Sequence, residues 1–178
     1  MVAERKLIEG LRIGREDAYR NLMEQHGSRL LQTCCLILKD KQEAEDVVQE
    51  TFIRVFKGIH GFKENSSLYT WLYRIAVNIS RDRLRKAEDT LPLEEELIIG
   101  DDLESKIVGE IDREALRSKL YGLASIYREV LVLYYFKDFS ITEISEILGD
   151  SEGTIKSRLS RGRKLLGESL LKGGMLDE

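Results

Sequence analysis

At 178 residues the chain can hold one large domain or two small ones, and 42% hydrophobic content is enough for ordinary globular cores. The formal net charge of −4 does not exclude a polyanionic partner, because residues 87–114 carry 11 acidic and 2 basic side chains, a net of −9 that leaves +5 on the rest of the chain. No run approaches the ~18 apolar residues of a membrane span, the opening MVAERKLIEG has no apolar signal region, and adjacent Cys34 and Cys35 fit neither a disulfide nor a metal spacing, so a cytoplasmic protein with structural thiols and no direct membrane insertion is expected.

Pro92 is the only proline, and helix formers dominate the runs, so the expected fold class is all-α. Residues 3–13 predict a short helix ended by Gly14, and a long helix follows from about Glu16 to Lys39. Its inner side is expected to hold Ala18, Leu22, Met23, His26, Leu30, Cys34 and Leu38, with His26 a hydrogen-bonded core residue rather than a ligand. Residues 42–59 have the cleanest helical period: Ala44, Val47, Val48, Thr51, Phe52, Val55, Phe56 and Ile59 follow i, i+3, i+4 spacing and predict a core face. The opposite face carries Asp46, Gln49, Glu50, Ile53 and Lys57. An isoleucine among acids on an outer face points to a partner surface.

The Gly, Asn and Ser content of GIHGFKENSS (58–67) predicts a loop. Phe62 lies within it, and such an aromatic either tucks onto the core or stacks on an unpaired base. A helix is then expected from Ser67 to Lys86, with Leu68, Trp71, Leu72, Ile75 and Ile79 inward. Arg74, Asn78, Arg81 and Arg85 form a second stripe of donors at i, i+4, i+7 and i+11. Asn78 supplies an amide suited to a base edge. Residues 70–86 hold five basic side chains against one acid, a pattern that a solvated face also produces. Residues 87–111 break the period and read as an acidic linker at a domain boundary.

Helical period returns from Asp112, through Ala115, Leu116, Leu120 and Leu123 to the apolar run YREVLVLYYFK (127–137). Ser140-x-x-Glu143 is a capping box opening a helix with Ile141, Ile144, Ile147 and Leu148 inside. Gly149–Gly153 is a turn, and Asp150 or Ser151 can cap the helix that begins near Glu152. On that helix Ile155, Leu159, Gly162 and Leu166 share a narrow arc, with Gly162 permitting a close approach. Lys156, Ser157, Ser160, Arg161, Arg163 and Lys164 fill the other side. The whole is a helix-turn-helix whose second helix combines phosphate-neutralising charge with short hydroxyl side chains.

The stretches AEDVVQETFIRVF (44–56), YTWLYRIAVN (69–78) and ITEISEILGDSEGTIKSRLSRGRKLL (141–166), in this order and with these separations, resemble bacterial RNA polymerase sigma factors of the extracytoplasmic-function (ECF) class. The resemblance covers about residues 5 to 172. It implies two small helical domains, 1–86 and 112–178, joined by the acidic linker 87–111, the second containing the helix-turn-helix. It further implies that Asp46, Gln49, Glu50 and Ile53 dock on the clamp helices of the largest subunit of core RNA polymerase. Phe62, Arg74, Asn78, Arg81 and Arg85 would open and read the minus-ten promoter element, with the loop around Phe62 holding a flipped base. Lys156, Ser157, Ser160, Arg161, Arg163 and Lys164 would read the minus-thirty-five element, although Ser160 replaces an aromatic residue that some members carry. Control by a separate anti-sigma protein is part of the same implication. So is the lack of the additional C-terminal domain of some subgroups and of the domain one of principal sigma factors. No catalytic constellation, cofactor motif or small-molecule substrate site is visible, and no enzyme is expected. The alternative is a helix-turn-helix regulator that binds duplex DNA through 140–166 without joining a polymerase. The Arg74, Asn78, Arg81 stripe argues against it.

Overall fold

The computed structural model describes residues 2–88 and 113–172, and every described element is helical. The greater part of the expected linker, from residue 89, lies outside the described residues. The chain divides into two compact units, one containing residues 2–87 and the other most of the residues that follow.

In the first unit, α1 (Val2–Arg12) and α2 (Glu16–Leu38) cross where Gly10 faces Ala18; a Cβ on Gly10 would lie 2.9 Å from that of Ala18. Gly14, at φ +74, makes the turn between them. Lys39 closes α2 in the left-handed region, its N–H donating to the Cys35 carbonyl. The Asp40 carboxylate caps α3 (Lys41–Gly58) by accepting from the Glu43 N–H at 2.8 Å. A single 3-10 turn, Ile59–Gly61, leads into the loop before α4 (Leu68–Glu88). Leu22, Leu30, Cys34, Ile37, Val47, Val55, Ile59, Leu72, Tyr73 and Val77 form the buried centre, and neither Cys34 nor Cys35 is in a disulfide.

Three expectations about this core need correction. Met23 is exposed, while Leu36 and Ile37, further along the same helix and not expected inward, are buried. Phe56 is 60% exposed rather than in the core. The α3 pattern offers three adjacent pairs, 47/48, 51/52 and 55/56, apolar but for Thr51, which is wider than the neighbouring helices cover. The first member of each pair is buried, Val48 and Phe52 are half-buried, and Phe56 is left at the margin against Tyr19, ring centroids 5.1 Å apart. His26 packs on the Tyr69 ring at 5.5 Å, but its buried Nδ1 has no hydrogen-bond partner. Tyr69 stacks in turn on Tyr73 at 4.5 Å, and burial pushes the Tyr73 phenol above its ordinary range.

In the second unit, α5 (Arg113–Tyr121) and α6 (Ser125–Leu131) both pack against the long α8 (Glu152–Lys172). The apolar run expected as one regular helix widens instead into a π turn over Val132–Phe136, leaving Tyr135 and Phe136 partly in solvent. The capping box of α7 (Ile141–Leu148) is present in full: the Ser140 hydroxyl accepts from the Glu143 N–H, and the Glu143 carboxylate accepts from the Ser140 N–H. Gly149, at φ +71, ends the helix. Of the two candidate caps for α8, Ser151 serves, its Oγ accepting from the Thr154 N–H at 3.1 Å. Gly162 meets α6, where an added Cβ would lie 3.2 Å from Leu131 Cδ1, so the close approach expected there is found.

Candidate nucleic-acid interface

On the outer side of α3, Asp46, Gln49 and Ile53 are exposed and Glu50 is partly so, with Ile53 at 53%. Phe56, one turn on from Ile53 along α3, extends this side with a second large apolar group. The carboxylates are not isolated. Arg83 of α4 hydrogen-bonds the Glu43 carboxylate at 2.5 Å and ion-pairs with Asp46 at 3.8 Å and Glu50 at 3.6 Å. The bond to Glu43, helped by the charges of Glu43, Asp46 and Glu50, holds the Arg83 guanidinium above its ordinary pKa. Glu50 also pairs with Arg54 at 2.5 Å. Leu38, Ile79 and Leu84 help to line a cavity of about 730 Å³ beside these charges.

The loop before α4 is braced rather than free. Phe62 is only 5% exposed and stacks on Trp71, centroids 4.9 Å apart, so its ring is already occupied. Arg12 of α1 donates to the Phe62 carbonyl at 2.7 Å and pairs with Glu64 at 2.8 Å. Glu4 of α1 accepts from the Leu68 N–H at 2.7 Å, capping α4 from a distance in sequence. His60, Lys63, Glu64, Asn65 and Ser67 are exposed in this loop. On α4, Arg74 and Asn78 are fully presented, Arg81 is half-buried, and Arg85 is paired with Asp82. The expected stripe of four is therefore uneven, with Arg74, Asn78 and Arg85 open to solvent and Arg81 half-buried.

On α8, Lys156 and Ser157 are exposed, and Ser160, Arg161, Arg163 and Lys164 are half-exposed on the same broad arc. Lys156 pairs with Glu152 at 3.7 Å, and Arg163 lies 3.5 Å from the Tyr135 hydroxyl. The turn ahead of this helix is tightly held: Ser145 Oγ donates to the Asp150 carbonyl at 2.6 Å, and Thr142 Oγ1 donates to the Glu152 carboxylate at 2.7 Å. Among the described residues no group of His, Cys, Asp and Glu is placed to hold a metal ion, and no helix is long and apolar enough to cross a membrane.

Sequence reasoning missed Arg12, Glu4 and Arg83. A signal existed for Arg83, which falls four residues after Ile79 on the buried arc of α4, where an unpaired cation would be costly. None existed for Arg12 and Glu4, whose partners are 50 and 64 residues away.

A family model for Sigma-70 region 2 matches residues 22–90, and one for Sigma-70, region 4 matches residues 113–166. The chain is 34% identical over 179 residues to the ECF RNA polymerase sigma factor SigW of Bacillus subtilis, covering 93% of this chain and 96% of that one. It is 35% identical over 144 residues to SigM of the same organism, covering 79% and 86%. Among solved structures it resembles CnrH in complex with the cytosolic domain of CnrY (TM-score 0.69, 26% identity, 96% and 98% covered). It also resembles the sigma factor RpoE in complex with the anti-sigma factor NepR from Bartonella quintana (TM-score 0.68, 26% identity, 86% and 96% covered). Matches to two successive sigma regions, and full-length relatives of one kind, place this chain in the ECF class of RNA polymerase sigma factors, within the sigma-70 superfamily.

Proposed function

We propose a division of labour within this sigma factor, a non-catalytic protein that binds core RNA polymerase and directs promoter-specific initiation. The outer face of α3 docks on the clamp helices of the largest subunit through Asp46, Gln49, Glu50 and Ile53. The observation that carries this is an exposed isoleucine, 53% accessible, set among polar and acidic side chains. Phe56 lies at the margin of the same face and extends it.

The loop 59–67 and α4 receive the minus-ten strand. Arg74, Asn78 and Arg85 are the exposed contacts, with half-buried Arg81 adding positive charge between them. Because Phe62 is already stacked on Trp71, its part is to hold the shape of the loop that encloses an extruded base rather than to stack on the base itself. The outer arc of α8, from Lys156 to Lys164, reads the minus-thirty-five duplex. Arg161 is suited to guanine O6 and N7, while Lys156, Arg163 and Lys164 neutralise phosphates. The likeness to the sigma factor RpoE solved in complex with the anti-sigma factor NepR supports a regulatory partner of the anti-sigma kind for this chain as well.

Equilibrium binding to core polymerase, followed by run-off transcription, tests the scheme. Asp46→Arg and Ile53→Glu weaken core binding while the helical circular dichroism stays unchanged; full affinity in both variants removes this face from the interface. Arg161→Ala leaves core binding intact and lowers promoter affinity by about 1–3 kcal/mol, with relaxed base choice at one minus-thirty-five position.

A further inference from the structure

Arg158 belongs to the basic run of α8 yet does not share its outward arc. It lies three residues beyond Ile155 and one before Leu159, both buried, and its own side chain is 22% exposed. Its guanidinium donates to the Asp150 carboxylate at 2.8 Å and stands 3.8 Å from the carboxylate of Glu129 on α6. Glu129 is 2% exposed at its side chain, and Asp150 is 27% exposed. Next to Glu129, Arg128 is buried as well and donates to the Leu123 carbonyl at 2.7 Å, at the entrance to α6. A charged group on α8 therefore joins three places at once: the helix itself, the turn before it, and the buried side of α6.

We infer that Arg158 is a positioning residue that fixes the angle at which α8 presents its outer face, and thereby sets the sequence discrimination of this sigma factor at the minus-thirty-five element. The chemistry follows from geometry. Arg158 Nη1 serves both carboxylates, donating to Asp150 at 2.8 Å and holding Glu129 by charge at 3.8 Å, whereas a flexible apolar contact would let the helix roll about its axis. Gly162 allows α8 to approach α6 closely, but a contact with Leu131 and Tyr127 supplies distance and no direction. Bidentate contacts between arginine and a base edge need placement to a fraction of an ångström, so a small roll costs specificity first. Phosphate contacts tolerate such a shift, because a charge acts over several ångströms.

This inference rests on α8 being the helix that reads duplex DNA. The experiment uses holoenzyme reconstituted from the full chain and core polymerase, with a promoter duplex selected from random sequence by the wild-type holoenzyme, and the same duplex with its minus-thirty-five element scrambled. Asp150→Ala removes one anchor while Glu129 keeps its charged neighbour; Arg158→Met removes the fork and keeps the stem. Both variants are expected to lower the affinity ratio between selected and scrambled duplex about tenfold, with the salt dependence of binding unchanged. An equal loss on both duplexes with the salt slope reduced by about one in Arg158→Met would make Arg158 a phosphate contact and overturn the proposal. An unchanged ratio in folded Asp150→Ala would overturn it too, and this variant decides the matter should Arg158→Met fail to fold. Arg161→Ala separates the two layers: if it leaves the ratio unchanged, the assignment of α8 fails, whereas a loss in Arg161→Ala alone removes only the role given to Arg158.

Discussion

His26 illustrates how a single side chain adds a pH dependence to stability. Its Nδ1 is buried without a partner against the Tyr69 ring, and burial, followed by the nearby Arg29, pushes its pKa below the ordinary histidine value, with Glu4 opposing. In the unfolded chain the same imidazole titrates near its ordinary value of about 6.5. Below that pH the unfolded state binds the proton more readily than the folded state. Stability present at neutral pH is therefore lost as pH falls from about 6.5 toward the lowered folded-state pKa. The melting temperature is expected to decline between about pH 7 and pH 5.5, and to decline less in His26→Gln, which has no proton to take up in this range. Thermal melts across that window, read by circular dichroism, check this. Equal slopes in the two proteins would show that the buried imidazole is not the group responsible.

Between α3 and α4 the decisive contact is ionic as well as apolar. Arg83 gathers Glu43, Asp46 and Glu50, so α4, proposed to meet promoter DNA, is tied to the α3 face proposed to dock on polymerase. Exposed ion pairs are individually weak, from roughly zero to 1 kcal/mol, because water screens them and long side chains lose entropy. Here one guanidinium, 26% exposed, serves three carboxylates that would otherwise repel one another. Arg83→Met is expected to destabilise the fold by about 1 kcal/mol in urea titrations at low salt, with the difference shrinking at 1 M salt. A double-mutant cycle with Glu43→Gln should return most of that energy as coupling between the two. A coupling of zero would mean that the packing of α4 on α3 rests on the apolar residues alone.

For the protein as a whole, the proposed function asks how binding energy would open a duplex without any covalent chemistry. Capture of unpaired bases offsets an unpairing cost of a few kcal/mol per base, and it becomes available only after the strand has separated. Asn78→Ala is therefore expected to reduce open-complex formation on intact promoters by about tenfold, a loss within the range of one base contact, and Phe62→Ala to reduce it by loosening the loop that Phe62 holds against Trp71. Part of this defect should vanish on a promoter pre-melted by mismatches at the minus-ten element. Permanganate reactivity of unpaired thymines, measured beside run-off yield, gives both quantities. Wild-type values in both variants on intact duplex would show that loop 59–67 and α4 take no part in melting.

Much of this molecule follows from local pattern. Helix ends are set by residues that satisfy the free backbone groups of a terminus, and those residues are neighbours in the chain: Asp40 before α3, the Ser140 and Glu143 pair before α7, Gly149 after it. The basic arc of α8 and the exposed Ile53 of α3 could be read because helical period alone decides which side chains share a face. Period does not decide how wide a face the neighbours will cover. That left Phe56 exposed and Tyr73 buried, since coverage depends on how α2 and α4 pack. Nor does it find partners far apart in sequence. Arg12 bracing the loop at Phe62 and Glu64, Arg83 bridging to α3, and Arg158 reaching back to Glu129 each join elements that only folding brings within a few ångströms. A sequence determines local geometry through steric and hydrogen-bonding limits that act within a few residues. Ion pairs between elements act through space, and their existence was decided by the tertiary structure.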